Sequence, residues 1–147
     1  MTLVNENGLN ALVTLLREGR DYYVFAATEA RDPEIADAFT LAAKYKTELL
    51  DGLVAARVLQ HASADHAVAP APTDEGYARL RAQFDPYHPE VQGLALYERE
   101  RHVTYLIQSV FRTENSLAVR RALKNSYAHV AQLVGIMERL AKRRQAA

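Results

Sequence analysis

The sequence contains no cysteine. Disulfides, thiolate metal sites and thiol nucleophiles are therefore excluded. It also lacks a net charge, with 18 Lys and Arg against 18 Asp and Glu. A balanced chain has no global pull toward nucleic acid or an anionic membrane, so neither is expected as a partner. No stretch approaches the roughly 18 uncharged apolar residues of a membrane helix. The opening MTLVNENGLNALV lacks the basic leader of a signal peptide. Together these absences lead to the expectation of a cytoplasmic protein. Nucleophile elbows and Gly-rich phosphate loops are missing too, and Ser63, Ser109, Ser116 and Ser126 sit in no catalytic motif.

Proline occurs only at 33, 70, 72, 86 and 89, and sustained alternation of β-branched residues is absent. What fills the space between is rich in Ala, Leu, Glu, Lys and Arg, the strong helix formers. A chain of 147 residues fits one domain and can bury roughly two-thirds of its unfolded surface. The expected fold class is all-α, a four-helix bundle.

Spacing predicts the helices. Leu9, Leu12, Leu16, Gly19, Tyr23 and Ala26 form one stripe of a helix over 8–31, with Asn5 or Asn7 as its cap. Asp32 and Pro33 end it and start a helix over 33–61, whose stripe is Ile35, Phe39, Ala42, Leu49, Leu53 and Ala56. Residues 62–73 are small and polar and read as a loop. Residues 74–84 predict a short helix with Tyr77, Leu80 and Phe84 on one side. A third long helix is expected over 89–112. Val91, Leu94, Glu98, His102, Tyr105 and Ser109 lie near one face, and Val103, Leu106, Ile107 and Val110 widen the apolar side. Asn115 or Ser116 caps a fourth helix over 116–144, with a stripe of Ala122, Ser126, His129, Leu133, Ile136 and Leu140. Lys142, Arg143 and Arg144 suit its C-terminal dipole.

The connections are short, long, short. Two tight hairpins are separated by the segment 62–88, long enough to travel the length of a helix at about 1.5 Å rise per residue. This predicts two antiparallel hairpins joined by a long crossover that contains the short helix. The alternative is an up-down-up-down bundle with an oversized loop.

The segments DYYVFAATEARDPEIADAFTLAAKYKTELL, ALYERERHVTYLIQSVF and NSYAHVAQLVGIMERL resemble the hairpin, third helix and fourth helix of the ferritin-like superfamily. The chain looks closest to a bacterial family of uncharacterised ferritin-like bundles whose relatives include stress-induced proteins. Metal-binding members take a Glu from each of two helices and Glu-x-x-His from the other two, because residues three apart share a helix face. The resemblance puts those positions near Leu15, near Lys46 and Leu49, on Glu98, and on Ser126 and His129.

Only Glu98 and His129 keep a ligand type, and Glu-x-x-His occurs nowhere in the chain. Glu18, Glu48 and His102 are weaker stand-ins. The expectation is a degenerate metal site without a resident cofactor. In this reading Glu98 and His129 form a buried polar pair, joined by Tyr22, Tyr23, His102 and Tyr105. The run Glu98 to Arg101 otherwise reads as a solvated face. His61, Asp65 and His66 read as solvated, and His88 as a loop residue without a partner. The function expected is non-catalytic and, by the resemblance, stress-related. The alternatives are a di-iron or di-manganese oxidase with substituted ligands, and a homodimeric helical interaction module.

Overall fold

The computed structural model describes residues 2–60 and 75–146, with side chains placed for 8–57 and 76–143. The loop expected at 62–73, and His61, Asp65 and His66, lie outside the described residues. All regular structure among the described residues is helical. The helices are α1 (Thr2–Glu29), α2 (Pro33–Gln60), the short α3 (Glu75–Ala82), α4 (Gly93–Thr113) and α5 (Leu117–Ala146). A 3-10 turn, Pro89–Gln92, leads into α4. No helix among them is long and apolar enough to cross a membrane.

The stripes predicted for the first two long helices are buried at every position. Two helices this close in sequence need a sharp boundary, and Asp32 supplies it. Its Oδ1 accepts from the backbone amides of Glu34 at 2.9 Å and Ile35 at 3.4 Å, satisfying donors that the first turn of α2 leaves free. Oδ2 of the same carboxylate receives Arg143 of α5 at 3.1 Å. Ser116 caps α5 in a similar way, accepting from the Val119 amide at 3.3 Å. The cap expected at Asn5 or Asn7 is not one: α1 begins at Thr2, so both lie within the helix.

α1 packs along α2 and α4, and α5 packs along α4 and α2. Gly8 lies beside Val110, while Tyr23 of α1 meets Glu100 of α4. Early α1 thus faces late α4, and the two are antiparallel. α2 and α5 are antiparallel as well: Asp32 meets Arg143, Tyr45 stacks on His129, and Gly52 lies beside Ala122. α3 rests on α1 and buries Tyr77 and Leu80. The Arg31 amide donates to the Pro86 carbonyl at 2.9 Å, which holds the chain after α3 against the end of α1.

On α4 and α5 the expected faces are buried in part: Val103, Ile107 and Val110 of α4 and Leu133 and Leu140 of α5 lie inside, while other expected positions do not. α4 buries Gly93, Leu96, Glu100, Val103, Ile107 and Val110, while Val91, Leu94, Glu98, His102 and Tyr105 are exposed. α5 buries Val119, Leu123, Val130, Leu133, Met137 and Leu140. The inward face of α4 is therefore set by its branched apolar residues, and Glu98, His102 and Tyr105 point to solvent.

α4 begins in direct contact with the backbone of α5. A Cβ on Gly93 would lie 2.6 Å from the Ala141 nitrogen and 2.8 Å from its Cα. Backbone cannot step aside as a side-chain tip can, so Gly93→Ala forces the helices apart. We expect it to destabilise by about 1–3 kcal/mol in urea denaturation. Gly135→Ala is the control. Its Cβ meets only the tip of Arg139 at 3.6 Å, so the better helix propensity of Ala should stabilise by about 0.5–1 kcal/mol.

Candidate functional site

The residues expected to form the site are not brought together. Glu98 and His102 are exposed on α4. His129 is exposed on α5, where its ring stacks on Tyr45 at 4.4 Å and its Nδ1 lies 3.6 Å from Glu48 Oε2. Glu18 is half-buried on α1. The buried Glu98 and His129 pair is thus corrected: both side chains are outside the core. His88, expected to lack a partner, has its Nδ1 3.4 Å from Glu90 Oε1. Among the described residues no group of three or more Asp, Glu or His side chains is placed to hold a metal ion.

Lys46 and Glu100 occupy the interior instead. Both side chains are 0% exposed, and Lys46 Nζ lies 2.6 Å from Glu100 Oε1. The pair joins α2 to α4. Helical spacing puts both inward. Lys46 falls in the gap of the stripe Phe39, Ala42, Leu49, Leu53, and Glu100 sits between Leu96 and Val103. Neither charged atom has a hydrogen bond of good geometry, so the interaction is a charge contact in a medium of low dielectric.

The surroundings are shaped to this pair. Gly19 of α1 leaves room for the lysine stem: a Cβ there would lie 3.1 Å from Lys46 Cδ and Cε and 2.9 Å from the Tyr77 hydroxyl oxygen. Tyr23 donates its hydroxyl to Glu100 Oε2 at 3.4 Å, and Lys46 Nζ is 5.8 Å from the centre of the same ring. Burial, and then the charge of Glu100, push the Tyr23 phenol well above its ordinary value. Burial likewise raises Tyr22. Tyr22 donates to Gln92 Oε1, and Gln92 Nε2 donates to the Leu80 carbonyl at 2.6 Å. One polar layer therefore links α1, the end of α3 and the turn before α4. The Tyr22 ring edges against Tyr23 at 5.4 Å and Phe39 at 6.4 Å, which closes the layer with aromatic surface.

This chemistry is that of a lock. The ammonium is shut away from solvent and held against a carboxylate. Leu15 and Leu49, both buried, stand where the resemblance expects ligands. They give a cation no oxygen or nitrogen to bind.

Removing one partner leaves the other charge buried alone. Lys46→Met or Glu100→Leu should each cost about 3–5 kcal/mol, whereas the two substitutions together should recover most of that loss. Urea denaturation of the four proteins checks the coupling, and additive losses would refute it. The phenols give a pH signature. Because folding raises the Tyr22 and Tyr23 values, the stability they contribute is complete below the ordinary phenol value of about 10. It is lost as pH rises through the folded value. In an alkaline titration, the phenolate absorbance of these two should therefore appear only together with loss of helical circular dichroism. Tyr22→Phe and Tyr23→Phe should each remove part of that late step. No protein-family model, no curated protein and no solved structure matches the chain, so the site is read from its own chemistry.

Proposed function

We propose that the chain is a ferritin-like four-helix bundle without a di-metal centre, and that it acts as a non-catalytic binding or interaction protein. The observation that carries this reading is the buried ion pair of Lys46 and Glu100. A lysine ammonium supplies the positive charge that a metal would bring to the middle of such a bundle. A divalent ion next to it would be repelled by that ammonium and would compete for its carboxylate. The crossover topology draws support from the antiparallel packing of α1 on α4 and of α2 on α5. Those contacts suit two hairpins whose second and third long helices run in the same direction. A cytoplasmic place accompanies this reading from the composition, and a role under stress from the resemblance alone.

The di-iron or di-manganese alternative would need Glu98, His129, Glu18, Glu48 and His102 to converge. Glu48 and His129 approach each other on the surface, while Glu98 and His102 are exposed on α4. Elemental analysis of protein purified without chelator, followed by ferrous iron titration in air, tests the proposal. Sub-stoichiometric metal and iron oxidation no faster than in protein-free buffer are expected. Two equivalents of iron or manganese per chain would overturn it.

A further inference from the structure

A groove of about 440 Å³ opens between α4 and α5. Pockets of about 300–1,000 Å³ take small organic ligands. Ile107 and Leu123, both buried, form its floor, and the half-buried rings of Phe111 and Tyr127 form its walls. Gln108, Ala128, Arg112 and Lys124 also line it, and among the described residues no carboxylate does. Among the described residues neither cation has an ion-pair partner. Arg120 adds a third positive charge, its guanidinium carbon 4.6 Å from the centre of the Phe111 ring. Gln108 donates to the Tyr127 oxygen at 2.6 Å, which turns the hydroxyl proton of Tyr127 toward some other acceptor.

A second groove, between α2 and α5, shows what a balanced surface looks like. It is lined by Glu34 and Asp37 as well as Arg139 and Arg143, and Arg143 is engaged by Asp32 and Glu34. Its charges satisfy each other. Those of the α4 and α5 groove do not, and they border an apolar floor.

We propose that the α4 and α5 groove binds a small amphipathic carboxylate, with its alkyl or aryl part against Ile107, Phe111, Leu123 and Tyr127 and its carboxylate toward Arg112 and Lys124. The size of the groove favours a small molecule over a docked helix. It spans 107–112 on one helix and 123–128 on the other, about 7.5 Å from the first to the last lining residue of each at 1.5 Å per residue. Helix docking uses anchors out to the seventh following residue, about 10.5 Å apart. The inference is independent of the metal-free reading of the interior, because none of these residues touches Lys46 or Glu100.

Calorimetric titration with octanoate, 3-phenylpropionate, octanol and octylamine tests it, with amide chemical shifts locating the site. Octanoate or phenylpropionate should bind, and the tighter of the two identifies the alkyl or aryl class. Octanol should bind about fivefold more weakly or worse, and octylamine more weakly still. That preference should shrink with added salt. In the double variant Arg112→Gln, Lys124→Gln, whose two sites are exposed and do not threaten the fold, octanoate should fall to the affinity of octanol while octanol is unchanged. Shifts should cluster at 107–112 and 123–128. No binding by either acid up to millimolar concentration, equal affinity for octanoate and octylamine, an unchanged preference in the double variant, or shifts centred elsewhere would each overturn the proposal.

Discussion

Two opposite charges, both withdrawn from water, set the terms for the whole interior. Moving an ammonium or a carboxylate out of water costs several kcal/mol even after relaxation, and only close pairing offsets it. Lys46 and Glu100 are paired at 2.6 Å, but across two helices that are distant in sequence. The relative height and rotation of α2 and α4 are thereby restricted. A slip of one residue on either helix turns its charge by about 100° and strands the other in an apolar core. Leucine-on-leucine packing would tolerate such a slip far better. Gly19 belongs to the same constraint, since α1 can lie over the lysine stem only where it carries no side chain. Tyr23 is fixed in turn by the carboxylate it faces.

That constraint explains which parts of the fold were legible in the sequence. α1 and α2 could be read closely because their inward faces are written in Leu, Ile, Phe, Tyr and Ala at three- and four-residue steps, and the break at Asp32 and Pro33 is unambiguous. On α4 and α5 the expected faces include polar residues, Glu98, His102 and Ser109 on one and Ser126 and His129 on the other, and Glu98, His102 and His129 are exposed. Branched apolar residues were the better guide. Val103, Ile107 and Val110 lie on the same face as Glu100, and extending their spacing backward reaches Glu100 rather than Glu98. The gap at position 46 in the α2 stripe carried the same signal. A lysine there reads as a solvated residue only if the stripe is allowed to skip a turn, and a helix packed along its whole length does not skip one. The 3-10 turn Pro89–Gln92 ends where Gly93 lies against the backbone of Ala141, a tertiary contact that the spacing of apolar residues does not carry.

The residues displaced from the expected site find ordinary partners outside. His129 lies flat on Tyr45 and faces Glu48, a pairing between α5 and α2 that accounts for all three side chains without a ligand. Its exposure keeps the energetic weight of that contact small, since surface ion pairs are worth at most about 1 kcal/mol. The polar groups that matter most to folding are thus the ones least visible as motifs. The visible cluster of Glu, Arg and His on α4 is largely a wet surface from which a single member, Glu100, has been drawn inward.

A centre closed by its own charges leaves recognition to the outside of the helices. The outside is uneven in a useful way. From Leu117 to Ala146, α5 carries seven Lys and Arg against one acid, Glu138, although the chain as a whole is neutral. Neutrality of the total therefore says little about the field along this helix, whose positive charge gathers at its two ends, at 120–124 and 139–144. Where that helix meets α4 near Phe111 and Tyr127, positive charge and unfilled apolar surface coincide. At the α2 side the acids at Glu34, Asp37 and Asp32 cancel it. A ligand that carries both an apolar body and a negative charge distinguishes these two sides of α5, whereas one that carries only charge, or only apolar surface, does not.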